Sequence, residues 1–232
     1  MAIEGLQAAQ PTTKAAKLYK GMAMEGRTAT WYAKNTKQGR EFVALASHVS
    51  AFLPAGSHIL EVAPGPGYLA VELAQRGYTV VGLDISKAFV EIAQATARAA
   101  GVAVEFQHGN GSAMPFAAET FDFIICCAAF KNFSEPVQAI REMERVLKPG
   151  GQALINDLRH DASLAAIDAH IAGMGLNWIN RLFTKFVFRQ TLLKNAYTPV
   201  QIRNFVAQTH FDQCEIREDG IGMEIWLTKA EG

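Results

Sequence analysis

Short apolar runs alternate with longer amphipathic windows through the middle of the chain. The runs have the length and the bounding turn residues of buried strands, at residues 57–63, 78–84, 102–109, 121–129 and 152–158. Between them, helical periodicity marks the windows 68–77, 87–101 and 136–151. Strands that alternate with helices predict a parallel sheet covered by helices on both faces.

The pattern changes after a polar break at residues 160–163. A helical stretch precedes another helix at 198–211, and the chain ends with two strand-like segments, QCEIRED and GMEIWLTKA, around Gly220 to Gly222. Two strands joined by so short a turn pair as an antiparallel hairpin. The predicted fold class is therefore α/β, with a mostly parallel sheet that ends in an antiparallel hairpin.

The segment GLNWINRLFTKFVFRQ, residues 175–190, has an apolar stripe at helical spacing. One face carries only aliphatic and aromatic residues: Leu176, Trp178, Ile179, Leu182, Phe183, Phe186 and Val187. A helix of this kind can lie on a membrane surface, but packing over a domain is its commoner use. We interpret the segment as a helix that roofs a substrate pocket.

Composition and charge exclude several classes of partner. The 232 residues, half of them apolar, suit one domain with appended lid segments. The 22 basic and 22 acidic side chains cancel, so no nucleic-acid partner is expected. The N-terminus lacks the apolar core of a signal peptide, and no apolar run approaches the ~20 residues that span a bilayer, so we expect a cytoplasmic protein without stable membrane insertion. The three cysteines have neither disulfide nor metal-ligand spacing, and no metal is predicted.

The turn after the first predicted strand is rich in glycine. Its sequence EVAPGPGY, residues 61–68, satisfies the relaxed dinucleotide fingerprint G-x-G-x-x-A, and Asp84 follows at about the distance of a ribose-binding acid. This pattern alone does not separate a nicotinamide cofactor from another adenosine ligand. Pro64 and Pro66 have no N–H to offer a pyrophosphate, which disfavours a dinucleotide.

Four segments follow one another in a characteristic order. They are ILEVAPGPG at 59–67, VVGLDIS at 80–86, GNGSAMPF at 109–116, and FDFIICCAAFKNF at 121–133 followed by AIREMERVLKPGG at 139–151. Together they resemble the motifs of class I S-adenosylmethionine-dependent methyltransferases, in particular the small-molecule, ubiquinone/menaquinone-type branch. Ala63 departs from the family glycine, and Asn110 replaces the aspartate of the third motif.

The resemblance implies a Rossmann-like sheet of seven strands with helical lid segments, and S-adenosylmethionine as the cofactor. It implies that Glu61 holds the cofactor's ammonium group, that Asp84 accepts its ribose hydroxyls, and that a lid aromatic, Tyr32, closes over it. The implied cofactor-binding residues are Tyr32, Glu61, Ala63, Gly65, Gly67, Asp84, Ile85, Asn110, Gly111, Ser112 and Cys127. At Gly65 and Gly67 we expect a close approach of the backbone to the cofactor. Simpler interpretations remain for Asp84 as a helix cap and for Asn110 as a turn residue.

The predicted organisation is a single methyltransferase domain over residues 1–232. It comprises an N-terminal helical lid at 1–50, a cofactor-binding core at 51–158, a helical insertion at 160–197, and a terminal helix and hairpin at 198–232.

The sequence indicates less about the methyl acceptor than about the cofactor. The family often has a His-His pair after the fourth strand, where this chain has Lys131 and Asn132. A lysine is protonated near pH 7 unless burial lowers its pKa. Lys131 is therefore better suited to hold an anion than to remove a proton from the acceptor. His160 and Asp161 follow the fifth strand and are the other catalytic candidates. The predicted substrate-contacting residues are Phe130, Lys131, Phe133 and Trp178.

We therefore expect an enzyme that transfers a methyl group from S-adenosylmethionine to a small, largely apolar molecule. Three alternatives stay open from the residues alone. A related enzyme could use the cofactor for another group transfer or a cyclisation, and a non-catalytic member could only bind it. A nicotinamide-dependent oxidoreductase would share the glycines and Asp84 but not the third and fourth motifs.

Overall fold

The fold is built on a seven-stranded sheet with the order β3-β2-β1-β4-β5-β7-β6. The computed structural model describes residues 19–20, 24–36, 40–173, 184–185 and 193–232. The strands are β1 His58–Val62, β2 Thr79–Asp84, β3 Glu105–His108, β4 Phe121–Cys127, β5 Leu147–Leu158, β6 Gln213–Asp219 and β7 Gly222–Thr228. Strands β1 to β5 pair in parallel, and β7 pairs antiparallel with both β5 and β6. The predicted fold class is confirmed.

Helices within the described residues connect and cover these strands. They are α1 Gly26–Thr36, α2 Arg40–Ser50, α3 Tyr68–Gln75, α4 Lys87–Ala100, α5 Pro136–Val146, α6 Leu164–Gly173 and α7 Pro199–Val206, with a 3₁₀ turn at Phe130–Asn132. The starts of two helices follow from local sequence. Ser86 caps α4 by accepting from Phe89 N, and Thr198 with Gln201 forms a capping box at α7.

Two predicted helices end too late: the helix predicted over 198–211 ends at Val206, and the second case is α5. The helix was expected to continue to residue 151, but it ends at Val146, and β5 begins at Leu147. Leu147 is already extended, with φ −72° and ψ 140°. Pro149 has no N–H for a helix and disfavours the helical conformation of the residue before it, so helical periodicity cannot continue here.

Successive residues of the central strands feed two separate apolar layers. On β1, Ile59 packs on the α2–α4 side, while its neighbour Leu60 packs on the α5 and α7 side. β4 repeats this alternation with Phe123 on the first side and Ile124 on the second. Because both faces are covered, these strands are mostly apolar and do not alternate regularly with polar residues.

The outermost strands differ from the central ones in composition. β3 is four residues long, EFQH, and β6 exposes a row of polar and charged side chains: Gln213, Glu215, Arg217, Glu218 and Asp219. Only Cys214 and Ile216 of β6 are partly buried. In the part of the chain that the structure describes, no helix is long and apolar enough to span a membrane.

The predicted roof helix at 175–190 falls almost entirely outside the described residues. Trp178, the aromatic proposed to contact substrate, is one of the residues outside them. The α6 helix, which the pattern after residue 163 predicted, is present and buries Ile167 and Ile171.

Candidate active site

Near its carboxyl end, β1 carries a buried carboxyl group with one oxygen that lacks a partner. Glu61 is 3% exposed, and its Oε2 makes no hydrogen bond to any described residue. Burial raises the pKa of the carboxyl to about 8, against the opposing hydrogen bond from the backbone N–H of Ala70. A buried polar atom without a partner costs free energy, and here it is left at the carboxyl end of a strand. That position favours a site for a ligand that brings a donor or a positive charge.

The same turn contains backbone conformations that glycine adopts most easily. Ala63, where the family has glycine, has φ 59°, and Gly65 and Gly67 have φ 54° and 79°. A side chain added at Gly65 would meet only the edge of Phe89 at 4.0 Å, which leaves open space beside the turn.

Gly67 differs from Gly65 in what surrounds it. A Cβ on Gly67 would lie 2.9 Å from both Ala93 Cβ and Phe106 Cζ. The glycine is therefore required for packing of the turn against α4 and β3, which is a reason the sequence did not reveal.

Asp84, the last residue of β2, faces the turn. It is 4% exposed, its Oδ2 accepts a hydrogen bond from Gly65 N at 3.0 Å, and its Oδ1 accepts one from Ser86 N at 2.8 Å. Burial raises its pKa to about 6. Each carboxylate oxygen can accept a second hydrogen bond, so Asp84 can hold the turn and still accept from a ligand. The next residue, Ile85, uses its carbonyl oxygen to contact His108 Nε2 at 3.1 Å.

The loop after β3 forms a compact turn beside the site. Asn110 Oδ1 accepts from Ser112 N at 3.0 Å, so this side chain already serves as a turn residue, with one lone pair still free. Ser112 is 7% exposed, and its hydroxyl donates to Glu135 O at 3.2 Å. At Gly111 a Cβ would lie 3.0 Å from Phe133 Cε2, which fixes the distance between this loop and the turn after β4.

The turn after β4 is fastened by a buried ion pair. Lys131 Nζ donates to Asp157 Oδ1 at 2.7 Å, Lys131 N donates to Asp157 Oδ2 at 2.8 Å, and the two side chains are only 8% and 2% exposed. The ammonium group also donates to the carbonyl oxygen of Ala128, a non-glycine residue with φ 55°. Lys131 is thus a buried structural cation and not a solvated side chain.

The other candidates near this turn are apolar or are held in a protonated state. Phe130 is 1% exposed and packs in the core against Phe133, with ring centroids 5.4 Å apart, and against Tyr197 at 5.9 Å. Burial raises the pKa of the Cys127 thiol well above its usual range, so it stays a thiol.

His160 and Asp161 do not form a catalytic pair in this geometry. His160 Nδ1 contacts Leu193 O at 2.8 Å, while Asp161 Oδ1 accepts from Arg159 Nε at 2.9 Å. The Arg159 guanidinium lowers the pKa of Asp161, which therefore remains ionised. Arg159 also pairs with Glu218 of β6, so this cluster ties β5 to the hairpin.

The N-terminal segment, predicted as a lid, packs against α3 and the start of α4. The hydroxyl of Ser86 donates to Met24 O, and Tyr68 Oη donates to Ala33 O at 2.8 Å. Tyr32 packs edge-on against Phe89, with centroids 5.7 Å apart, and burial raises the pKa of its phenol. The structure therefore places Tyr32 beside α4, on the same side as Asp84.

Two residues of the site were missed by sequence reasoning. Asp157, near the end of β5, is an acid at the carboxyl end of a strand, the signal that identified Glu61 and Asp84. Tyr19 forms an antiparallel bridge with Phe133 on the turn after β4, and no local pattern marks it. No group of three or more His, Cys, Asp or Glu that could hold a metal ion occurs among the residues described.

Comparisons with known proteins bear on this arrangement. Residues 60–155 match the model of a family described as a methyltransferase domain. A demethylmenaquinone methyltransferase of Deinococcus radiodurans is 31% identical over 120 residues, 51% of this chain and 50% of that protein. A ubiquinone biosynthesis O-methyltransferase of Pseudomonas fluorescens is 34% identical over 111 residues, 46% of this chain and 47% of that protein. The chain thus spans about half the length of the curated relatives it matches.

The fold has counterparts among solved structures. A SAM-dependent methyltransferase from Aquifex aeolicus has a TM-score of 0.67 at 17% identity, covering 86% of this chain and 97% of that one. At this identity the likeness establishes the shared fold of the two chains.

Proposed function

We propose, from the match of residues 60–155 to a methyltransferase domain, that the chain transfers a methyl group from S-adenosylmethionine to a small, largely apolar acceptor. The family and the cofactor that the four motifs predicted are confirmed. The acceptor and the roles of individual residues remain predictions. The oxidoreductase alternative is not favoured, because the relatives compared are methyltransferases.

The observation that carries the proposal is the unpartnered carboxylate of Glu61. Its Oε2 is buried without a hydrogen bond, close enough to Asp84 for the two negative charges to interact. A ligand with an ammonium group and a ribose diol would supply a positive charge to Glu61 and two donors to Asp84. S-adenosylmethionine has both, and when bound it supplies a methyl group on a sulfonium, already activated for attack by a nucleophile.

Other residues of the cleft would complete the cofactor site. We assign the adenine to the loop of Asn110, Gly111 and Ser112, where the backbone N–H of Gly111 and the free lone pair of Asn110 Oδ1 match the edge of a purine. The open space beside Gly65 receives the methionine part, and Tyr32 covers the ligand from the lid. The protein's contribution is then to align the two reactants and exclude water.

The acceptor class is inferred from the relatives and from the walls of the cleft. The names of two relatives refer to menaquinone and ubiquinone, whose precursors are ring compounds. Phe133, on the turn after β4, is an apolar side chain at the predicted acceptor side of the site, and the roof helix predicted from the sequence would add Trp178. Lys131 would support this turn through Asp157 and would not act as a base, since its ammonium group is already paired.

Calorimetry with three ligands tests the proposed function. S-adenosylmethionine and S-adenosylhomocysteine are expected to bind with dissociation constants in the micromolar range, because Glu61 and Asp84 complement groups that both ligands share. NAD should give no measurable heat, since Pro64 and Pro66 offer no N–H to its pyrophosphate. Tight binding of NAD together with no binding of S-adenosylhomocysteine would contradict the proposal.

Proton exchange on binding tests the role of Glu61. With a pKa of about 8 in the free protein, this carboxyl is mostly protonated at pH 7 and must ionise to pair with the ligand's ammonium group. Binding of S-adenosylhomocysteine should release close to one proton well below pH 8, and the release should fall toward zero as the pH rises through 8, where Glu61 is already ionised in the free protein. The affinity should therefore fall about tenfold per pH unit below pH 8, the pKa of Glu61.

The proton count is measured by calorimetry in two buffers of different ionisation enthalpy. Glu61→Gln has no proton to lose and is the matched control. Equal proton release by the variant and the unmodified protein would assign the effect to another group, of which Asp84 and Cys127 are the nearest titratable ones.

A further inference from the structure

A tyrosine of the N-terminal segment is seated directly on the turn that follows β4. Tyr19 forms an antiparallel bridge with Phe133, and Lys20 N donates to Asn132 O at 2.7 Å. These contacts join a segment more than a hundred residues away in sequence to the edge of the cleft. The position of Tyr19 is thereby set by main-chain hydrogen bonding and not by its side chain alone.

The neighbouring residue anchors the same segment from its other side. Lys20 Nζ donates to Tyr197 Oη at 2.6 Å and lies 4.9 Å from the centroid of that ring. Tyr197 is 8% exposed, and its hydroxyl donates a hydrogen bond to Phe133 O at 3.3 Å. Lys20 and Tyr19 therefore contact one rigid unit, the turn and the buried tyrosine behind it.

The phenol of Tyr19 faces a polar side chain on this turn. It is hydrogen-bonded to the side chain of Asn132, and the charges of Asp84 and Asp157 act on it from the ends of β2 and β5. Burial and these charges raise the pKa of the phenol to about 12, so it keeps its proton. The phenol is thus a neutral group close to both the end of β2, where the acid assigned to the ribose lies, and the end of β5.

The partner of Tyr19 is held as firmly as Tyr19 itself. Asn132 closes the 3₁₀ turn Phe130–Asn132, and Asp157 fastens that turn through both Lys131 N and Lys131 Nζ. A polar pair mounted on rigid elements can impose one orientation on a ligand atom. Neither group is suited to remove a proton, because one is a protonated phenol and the other an amide.

We propose that Tyr19 and Asn132 form the polar subsite that binds the acceptor, by hydrogen-bonding a hydroxyl or carbonyl oxygen on its ring. This inference rests on the proposed function, since it takes Glu61 and Asp84 as occupied by the cofactor. The acceptor is then a ring compound that carries an oxygen, and the pair orients this oxygen without deprotonating it. A site built to hydrogen-bond a hydroxyl rejects the analogue that lacks it far more strongly than an apolar pocket does.

Two probes that differ by a single hydroxyl test the subsite. 1-Naphthol and naphthalene are titrated into protein saturated with S-adenosylhomocysteine, with binding followed by calorimetry. The unmodified protein should bind 1-naphthol at least tenfold more tightly than naphthalene. Tyr19→Phe and Asn132→Leu should each reduce this preference to threefold or less, while the Kd of S-adenosylhomocysteine stays within twofold.

A matched substitution controls for the loss of a phenol hydroxyl elsewhere. Tyr78→Phe removes a hydroxyl that donates to Leu53 O at 3.0 Å, in the apolar layer on the α2–α4 side, and it should leave the preference for 1-naphthol unchanged. A preference that survives in both Tyr19→Phe and Asn132→Leu overturns the inference. So does a parallel loss of S-adenosylhomocysteine binding, which would place the pair in the cofactor site.

The same titrations separate this inference from the proposed function. If the unmodified protein binds no S-adenosylhomocysteine, the proposed function fails and the inference falls with it. If it binds S-adenosylhomocysteine but does not distinguish 1-naphthol from naphthalene, the inference alone fails.

Discussion

Replacing Asp84 with alanine is expected to weaken binding of S-adenosylmethionine by about 2 to 4 kcal/mol, because two hydrogen bonds from ribose hydroxyls to a carboxylate would be lost. Each bond alone is worth about 1.5 to 3 kcal/mol, but the two losses are less than additive since both bonds are made to one carboxylate. The overall loss corresponds to a rise in Kd of roughly 30- to 1,000-fold. The titration is made at pH 8, above the pKa of about 6 that burial gives this carboxyl, so that the unmodified protein is compared in its ionised form. Calorimetry or competition with S-adenosylhomocysteine measures the change.

An aspartate at the opposite end of the parallel strands, away from the cleft, provides the control. Asp122 lies near the start of β4, accepts from His58 N at 2.8 Å, and pairs with Lys148. Asp122→Ala changes the net charge in the same way and should alter the Kd less than twofold. A folded Asp84→Ala protein with unchanged affinity would restrict Asp84 to its observed role of accepting from Gly65 N and Ser86 N.

Replacing Lys131 with methionine is expected to lower the free energy of unfolding by about 3 to 5 kcal/mol, since it leaves the Asp157 carboxylate buried without its counter-ion. The side chain of Asp157 is only 2% exposed, so water cannot compensate for the lost charge. Urea unfolding at pH 7 measures the difference. The double variant Lys131→Met with Asp157→Leu should recover most of the loss, because it removes the isolated charge as well.

A second Lys–Asp pair of the same length allows a matched comparison. Lys148 Nζ lies 2.7 Å from Asp122 Oδ1, as Lys131 does from Asp157, but its side chains are 45% and 34% exposed. Lys148→Met should cost no more than about 1 kcal/mol, as is typical of an exposed pair. Equal losses at the two sites would mean that burial of Lys131 and Asp157 does not determine the energetics.

The residues that sequence reasoning placed correctly share one local rule. Glu61 and Asp84 are acids at the ends of apolar runs, and the carboxyl ends of parallel strands meet at one edge of the sheet. Local order along the chain was therefore enough to bring both to the same cleft. Helix caps such as Ser86 follow equally local rules.

The contacts that sequence reasoning missed depend on pairing between distant segments. Lys131 meets Asp157 only because β4 and β5 pair with Cys127 opposite Asn156. Tyr19 is joined to the turn after β4 by a single bridge to Phe133, and no periodicity in the N-terminal segment predicts this contact. Such contacts are set by strand register and by the path of the chain, neither of which hydrophobic patterning encodes.

Two residues that are adjacent in the sequence do not necessarily act together in catalysis. His160 and Asp161 are neighbours in sequence, yet one contacts Leu193 O and the other pairs with Arg159. Neighbouring residues in an extended or turning segment point in different directions, so a catalytic pair needs an element that brings the two side chains to one face.

The composition of the outer strands determines how this sheet meets other molecules. An edge strand has unpaired backbone N–H and C=O groups, which can recruit a strand from a second chain. On β6 such recruitment would force the exposed side chains of Glu215, Arg217 and Glu218 to lose water, and β3 is too short to template a stable addition. The protein is thereby protected from edge-to-edge aggregation at both ends of the sheet, and substitutions that make the outward face of β6 apolar would remove that protection while leaving the core and the cleft intact.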